Sequence, residues 1–134
     1  MKVMIDTNII ISAAISPNGN AAKAFLKAVL PPYEPVVCEY IVDEVHRKFN
    51  EKFSKHATEL EAFLNDVLQI IRVVPTPEKQ TAEEDKIRDL KDRPILRAAR
   101  SANVDILLTG DLDFLDSDIT NPRIIAATDF INHC

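Results

Sequence analysis

Apolar residues fall into two alternating patterns along this chain. The continuous runs Val3-Met4-Ile5, Pro35-Val36-Val37-Cys38, Ile70-Ile71-Arg72-Val73-Val74, Asp105-Ile106-Leu107-Leu108-Thr109 and Arg123-Ile124-Ile125-Ala126 are short and rich in β-branched residues, which predicts buried strands. Between them, apolar positions recur at helical spacing. Asn8 is placed to cap a helix through Ile15. After the turn Pro17-Asn18-Gly19, a helix over Ala21–Leu30 turns Phe25, Leu26 and Val29 inward until Pro31, Pro32 and Pro35 stop it. A helix from near Glu39 carries Ile41, Val45, Phe49 and Phe53 in one stripe, with Glu44 at the stripe's edge. Ala57–Gln69 repeats the pattern through Leu60, Phe63, Leu64, Val67 and Leu68. Thr81-Ala82-Glu83-Glu84 has capping-box form and predicts a short helix with Ile87 and Leu90 inward and Asp85 and Asp89 outward. Asp92-Arg93-Pro94 opens a helix burying Ile95, Leu96 and Ala99, because proline is tolerated in a first turn, and Thr128 is placed to cap a last one. The alternation predicts an α/β fold: one domain over residues 1–134, with a central parallel sheet of five strands and helices on both faces.

Composition narrows the class without changing that picture. A chain of 134 residues can bury roughly two-thirds of its unfolded surface around one core. With 46% hydrophobic and 28% charged residues and only two glycines, it is neither disordered nor fibrous. Asp6 interrupts the first apolar run, which excludes a secretory signal there, and no later run approaches the ~20 residues of a membrane span. Cys38 and Cys134 lack metal-ligand spacing, and a chain of this size needs no disulfide framework, so a reducing cytoplasm is the expected location. A net charge of −5 disfavours a phosphate-rich partner unless the acids are concentrated in one place. Four of them gathered in a cation-filled pocket would leave the remainder near neutrality.

Candidate chemistry starts from where the acids fall. The first strand runs directly into Asp6, and in an open α/β sheet ligands bind at the carboxyl ends of strands. Asp111 follows the fourth strand, Glu44 lies on the helix after the second, and Asp92 stands one turn before Ile95 and Leu96. Taken singly, each has a plainer reading. Asp6, Asp111 and Asp113 suit turns, Asp92 suits a helix cap, and Glu44 can pair with Lys48. None of these readings explains why the acids gather at one pole. An oxygen-rich site of this kind suits Mg²⁺ or Mn²⁺.

Four blocks in order carry a family resemblance: Met4-Ile5-Asp6-Thr7-Asn8, Glu39 to Val45, Asp92 to Ala99, and Leu107 to Leu115. They resemble the PIN-domain family, in particular its prokaryotic toxin components of toxin–antitoxin modules. The resemblance implies a metal-dependent endoribonuclease with one or two Mg²⁺ or Mn²⁺ ions, an RNA substrate and an inhibiting antitoxin protein, and a homo-oligomer (a dimer) is expected. It implies a metal site at Asp6, Glu44, Asp92 and Asp111, with Asp113 assisting. Thr7, Asn8 and Thr109 are candidates to orient those acids, with core or capping hydrogen bonds as the plainer reading. One departure is Cys38, where the family usually has a serine capping the helix that bears the glutamate.

Two basic stripes follow i, i+4, i+7 spacing: Lys48, Lys52 and Lys55, and Arg93, Arg97 and Arg100. Such stripes ordinarily mean a solvated face with local ion pairs. Their position on helices bearing a site acid makes Lys48, Arg93 and Arg97 candidates for substrate phosphates. His46, His56 and His133 have no zinc spacing. Two competing readings remain open: a catalytically silent PIN-like protein-binding module, and a phosphohydrolase of another α/β fold with Asp6 as nucleophile. The latter would expect an aspartate where Asn8 stands.

Overall fold

A computed structural model describes all residues from Met1 to Cys134. Five parallel strands, β1 (Lys2–Ile5), β2 (Glu34–Cys38), β3 (Arg72–Val74), β4 (Ile106–Leu108) and β5 (Arg123–Ile125), form one sheet in the order β3-β2-β1-β4-β5. The helices are α1 (Thr7–Ile15), α2 (Asn20–Ala28), α3 (Glu39–Lys52), α4 (Ala57–Ile70), α5 (Arg93–Ser101), α6 (Leu112–Leu115) and α7 (Ala127–His133). The chain steps outward from β1 through β2 to β3, then restarts at β4 on the other side of β1. Right-handed crossovers therefore place α1 to α4 on one face and α5 on the other. Strand order reverses between β1 and β4, which opens a crevice at their carboxyl ends.

The periodicities account for the core. Val3, Met4 and Ile5 of β1, the whole of β4, and the α3 stripe Ile41, Val45 and Phe49 are fully buried. Phe53 ends α3 and is only partly covered. Leu26, expected inward, is exposed, because the inner face of α2 is Ala22, Ala24, Phe25 and Ala28. Ile70 closes α4 instead of opening β3 and is also exposed. At the end of α5, Asn103 adopts φ 56°. Its amide donates to Arg100 O at 3.2 Å, while the Val104 amide donates to Ala99 O at 2.9 Å. This paired closure is the Schellman arrangement, and it returns the chain toward β4.

The largest departure lies between Thr81 and Asp92. A single helix was expected there, but the chain forms a 3-10 turn over Ala82–Lys86 and becomes extended at Ile87. The helical register is lost at that point. Ile87 stays buried, Leu90 is 69% exposed instead of inward, and Asp89 comes round to the sheet's carboxyl edge instead of facing away.

Cys38 stands at the cap position of α3 and makes no side-chain cap bond. The Tyr40 amide instead donates to Thr76 Oγ1 at 3.1 Å, so a residue just after β3 caps the helix from outside. A capping bond contributes about 1 kcal/mol. Thr76→Val should therefore lower unfolding stability by about that amount, and Cys38→Ser should restore most of it by supplying a local acceptor. Urea unfolding of both single variants and the double variant checks this. Strictly additive effects would mean that the two positions do not serve the same amide.

Candidate metal centre

Parallel strands deliver the acids to one edge because every strand end in the sheet points the same way. Asp6 caps α1, accepting from the Thr7 amide at 2.7 Å, and Asp111 caps α6, accepting from the Asp113 amide at 2.9 Å. Asp92 occupies the cap position of α5. Three of the acids thus sit at helix N-termini, where unpaired amides and the helix dipole favour a negative group. Asn8 is not the expected cap of α1. It lies inside the helix, and its Oδ1 accepts from the Gly110 amide at 3.2 Å, joining the β1 and β4 loops.

Glu44, Asp92 and Asp111 line one open cavity of about 340 Å³ that has no hydrophobic lining residue. Asp6 lies behind it, 3% exposed, close enough for its charge to act on Asp92. Threonines fix the set. Thr109 Oγ1 donates to Asp6 Oδ2 at 2.6 Å and accepts from the Asp111 amide at 3.0 Å, so one hydroxyl ties the β1 acid to the β4 acid. Thr7 Oγ1 donates to Glu44 Oε1. Both threonines are buried, and each has an acid within reach.

Burying several carboxylates together disfavours their charged forms. Burial pushes Asp6 up to about 6 against the opposing hydrogen bonds from Thr109 and Thr7, with the charges of Glu44 and Asp111 adding to the rise. Asp92 is raised as well, first by burial, then by hydrogen bonding and charge from Asp111, then by Asp6 and Asp89. Its Oδ2 is buried and has no hydrogen-bond partner. An orphaned carboxylate oxygen among other acids, with no histidine or cysteine in the set, suits a hard divalent cation. The remaining groups fit that assignment: Asp6, Asp92 and Glu44 are buried around it, and Asp111 is partly exposed at its mouth.

Asp113 is turned toward Arg88, whose Nη2 and Nε donate to its Oδ1 at 2.6 and 3.0 Å. The basic stripes divide. Lys48 and Lys52 reach the cavity wall, joined by Arg47 and Lys91, which the spacing argument missed. The α5 arginines are engaged elsewhere, contrary to the substrate role expected of Arg93 and Arg97. Arg97 pairs with buried Glu84 at 2.7 Å and donates to Pro77 O at 2.8 Å, Arg93 donates to Ile87 O at 3.0 Å and lies 3.7 Å from Asp85, and Arg100 reaches Glu83 at 2.5 Å. Consecutive acids of the 3-10 turn thus take up consecutive turns of the stripe. Tyr40, one turn before Glu44, was also missed; burial and the charges of Glu44 and Asp92 raise its phenol. The structure lends no support to Asp6 as a phosphohydrolase nucleophile: it lies behind the cavity, 3% exposed, with a hydrogen bond on each oxygen.

The raised Asp6 pKa fixes a sign. Between its ordinary value of 3.8 and about 6, the folded state binds more protons at this group than the unfolded state does. Stability of the cation-free protein from this source therefore rises as pH falls through 6, by at most about 3 kcal/mol. Asp6→Asn should remove that pH dependence and, by removing the buried charge, leave the cation-free protein more stable at pH 7; the gain should be only on the order of 1 kcal/mol, because the amide accepts the Thr109 hydroxyl less well than the carboxylate does. Thermal melts in chelator from pH 5 to pH 8 check this. A wild type that loses stability on acidification over that range, relative to the variant, would contradict it.

The sequence matches the family described as PIN domain over residues 2–113. No curated protein sequence matches it significantly. Among solved structures, VapBC2 from Rickettsia felis bound to a promoter DNA fragment aligns with a TM-score of 0.73 at 16% identity, covering 94% of this chain and 98% of that one. DNA-bound VapBC from Salmonella typhimurium aligns at 0.68 and 16%, covering 95% and 98%. The sarcin–ricin-loop-cleaving toxin VapC20 of Mycobacterium tuberculosis aligns at 0.61 and 13%, covering 85% and 93%. At these identities the structures speak for the fold alone, and membership rests on the sequence match. Since that match spans the strands and loops that carry Asp6, Glu44, Asp92 and Asp111, this chain belongs to the PIN-domain family.

Proposed function

We propose that this protein is a metal-dependent endoribonuclease acting in the cytoplasm as the toxin of a toxin–antitoxin module. The observation that carries the reading is the all-polar cavity lined by Glu44, Asp92 and Asp111, with Asp6 behind it and the Asp92 Oδ2 left without a partner. Asp6, Asp92 and Asp111 would hold Mg²⁺ or Mn²⁺, which supplies positive charge for the phosphodiester oxygens and lowers the pKa of the attacking water. Thr109 keeps Asp6 and Asp111 at fixed separation, and Thr7 holds Glu44. Glu44 faces the cavity, and its oxygen not held by Thr7 can accept the proton released as water adds in line to phosphorus and the bond to the leaving ribose oxygen breaks, that oxygen taking a proton from solvent. Arg47, Lys48, Lys52 and Lys91 rim the same cavity and give an RNA strand phosphate contacts on either side of the scissile bond.

An antitoxin partner is supported by the structural neighbours, two of which are VapBC complexes. The surface also offers apolar clefts, one around Phe25, Leu26 and Phe63 and one around Ile15, Phe53 and Leu60, of the kind that a protein partner covers. Both border α1 and α4, away from the acids.

Purified protein freed of any partner should cleave single-stranded RNA with Mg²⁺ or Mn²⁺ and stop in chelator, with unpaired, shape-defined sites preferred. Thr109→Val should retain the fold and lose roughly 10–100-fold of the rate, the scale at which groups that orient metal ligands act. Gel analysis of a broad RNA panel reads both effects. An intact panel with either ion would replace the nuclease with the protein-binding module.

A further inference from the structure

The cavity over the acids has no hydrophobic lining residue, so it offers an RNA strand contacts for phosphate and cation but none for the apolar faces of its bases. Tyr40 stands at one end of it. Counting along α3 from Tyr40, Glu44, Arg47, Lys48 and Glu51 fall at i+4, i+7, i+8 and i+11, which places all five on one face of the helix. The last four line the cavity wall, so the Tyr40 ring heads the same stripe, one turn before Glu44. Its phenol is raised first by burial and then by the charges of Glu44 and Asp92, with Arg47 opposing and Asp89 adding, so the hydroxyl lies among groups of both cavity walls. The ring is partly exposed and packs in part on the core, while the Tyr40 amide, held by Thr76 Oγ1 at 3.1 Å, fixes the first turn of α3. The other aromatic rings are committed elsewhere: Phe49, Phe114 and Phe130 to the core, Phe25 to Phe63, Tyr33 to Phe130, and Phe53 to the cleft beside Leu60.

We propose that Tyr40 is a substrate-binding residue whose ring stacks on an unpaired RNA base beside the phosphate held over Glu44, Asp92 and Asp111. The inference rests on the nuclease reading of that cavity and deepens it. A base within a duplex has both faces covered by its neighbours, whereas an unpaired base can turn out and lie on an aromatic side chain. Such stacking tolerates every base, since each has a π-face, so the contact selects single-stranded conformation and not sequence. A base joined to the sugar next to the scissile phosphate can reach a ring one helical turn, about 5.4 Å, along α3 from Glu44. The rim cations supply no such selection, because Lys48, Lys52 and Lys91 hold the phosphates of paired and unpaired strands alike. Leucine in place of Tyr40 would cover the core and could not stack, which separates the two roles of the ring.

The test is steady-state cleavage of a short single-stranded RNA with Mg²⁺ or Mn²⁺ by wild type, Tyr40→Leu and Tyr40→Phe, each base near the cut being replaced in turn by an abasic sugar. In wild type one abasic position next to the cut should raise KM roughly tenfold, the scale of one base–aromatic stack, with kcat little changed. This series reads the base's half of the contact without any substitution in the protein. Tyr40→Leu should raise KM on intact RNA by the same factor and be indifferent to that abasic position, because ring and base are the two halves of one contact. Tyr40→Phe keeps the ring and should match wild type. A wild type insensitive to every abasic position, a Tyr40→Leu protein with unchanged KM, or one whose KM still rises at the abasic position would each overturn the stacking contact and leave the nuclease standing. So would a raised KM in Tyr40→Phe, which would assign the contact to the hydroxyl, and a loss of kcat alone in Tyr40→Leu, which would make the ring a support for Glu44. If wild type cleaves no RNA, the nuclease reading falls and the contact with it.

Discussion

Repulsion among carboxylates held at one sheet edge is the interaction on which the rest of this molecule depends. Two such charges about 5 Å apart at an effective dielectric of about 20 repel by about 3 kcal/mol before screening. The fold opposes this with hydrogen bonds placed on specific oxygens. Asp6 receives the Thr7 amide and the Thr109 hydroxyl, Glu44 receives Thr7 Oγ1, and Asp111 receives the Asp113 amide. Three of these acids also sit at helix N-termini, where the helix dipole opposes the repulsion. Burial works against the charged forms as well, and it is burial first, then the charges of Glu44 and Asp111, that shifts Asp6 upward despite two good donors, while Asp92 keeps an oxygen with none.

Charge elsewhere is arranged so that this edge is the place where it stays unbalanced. On α5 every arginine of the stripe finds an acid of the 3-10 turn, and Glu84, the most enclosed of those acids, is held below its ordinary value by the hydrogen bonds from Arg97. That pairing fastens the segment before α5 and so fixes where Asp89 and Asp92 stand. The cations at the cavity come mainly from α3: Lys48 and Lys52, joined by Lys91 and by Arg47, whose guanidinium lies 3.9 Å from Glu44 Oε2. A chain with a net charge of −5 thereby presents a basic rim around an acidic floor.

Much of this was legible in the sequence, for physical reasons. Strand and helix periods mark the sheet and its flanking helices, and strand ends in a parallel sheet must share an edge, so the sequence alone places Asp6 and Asp111 together. What could not be read was register where a regular period breaks. Thr81 and Glu84 do form the capping arrangement their spacing suggests, yet the turn they start is 3-10 and gives way to extended chain at Ile87. Extrapolating α-helical spacing through it sent Leu90 inward and Asp89 outward, and both were reversed. Side-chain partners across the fold were also invisible. Nothing in the spacing of Arg93, Arg97 and Arg100 tells a free phosphate contact from a pair with Glu83, Glu84 or Asp85. Nor did the unusual Cys38 reveal that Thr76 would cap α3 in its stead.

The central claim is that burial and crowding make Asp6 and Asp92 retain a proton until a cation replaces it. Proton release on Mg²⁺ binding tests it most directly, measured by calorimetry in buffers of differing ionisation enthalpy from about pH 6 to about pH 9. The account predicts that binding near pH 6 to 7 expels protons and that the number expelled falls toward zero at the alkaline end, where the acids are already ionised. Binding that releases no proton anywhere in that range would contradict it.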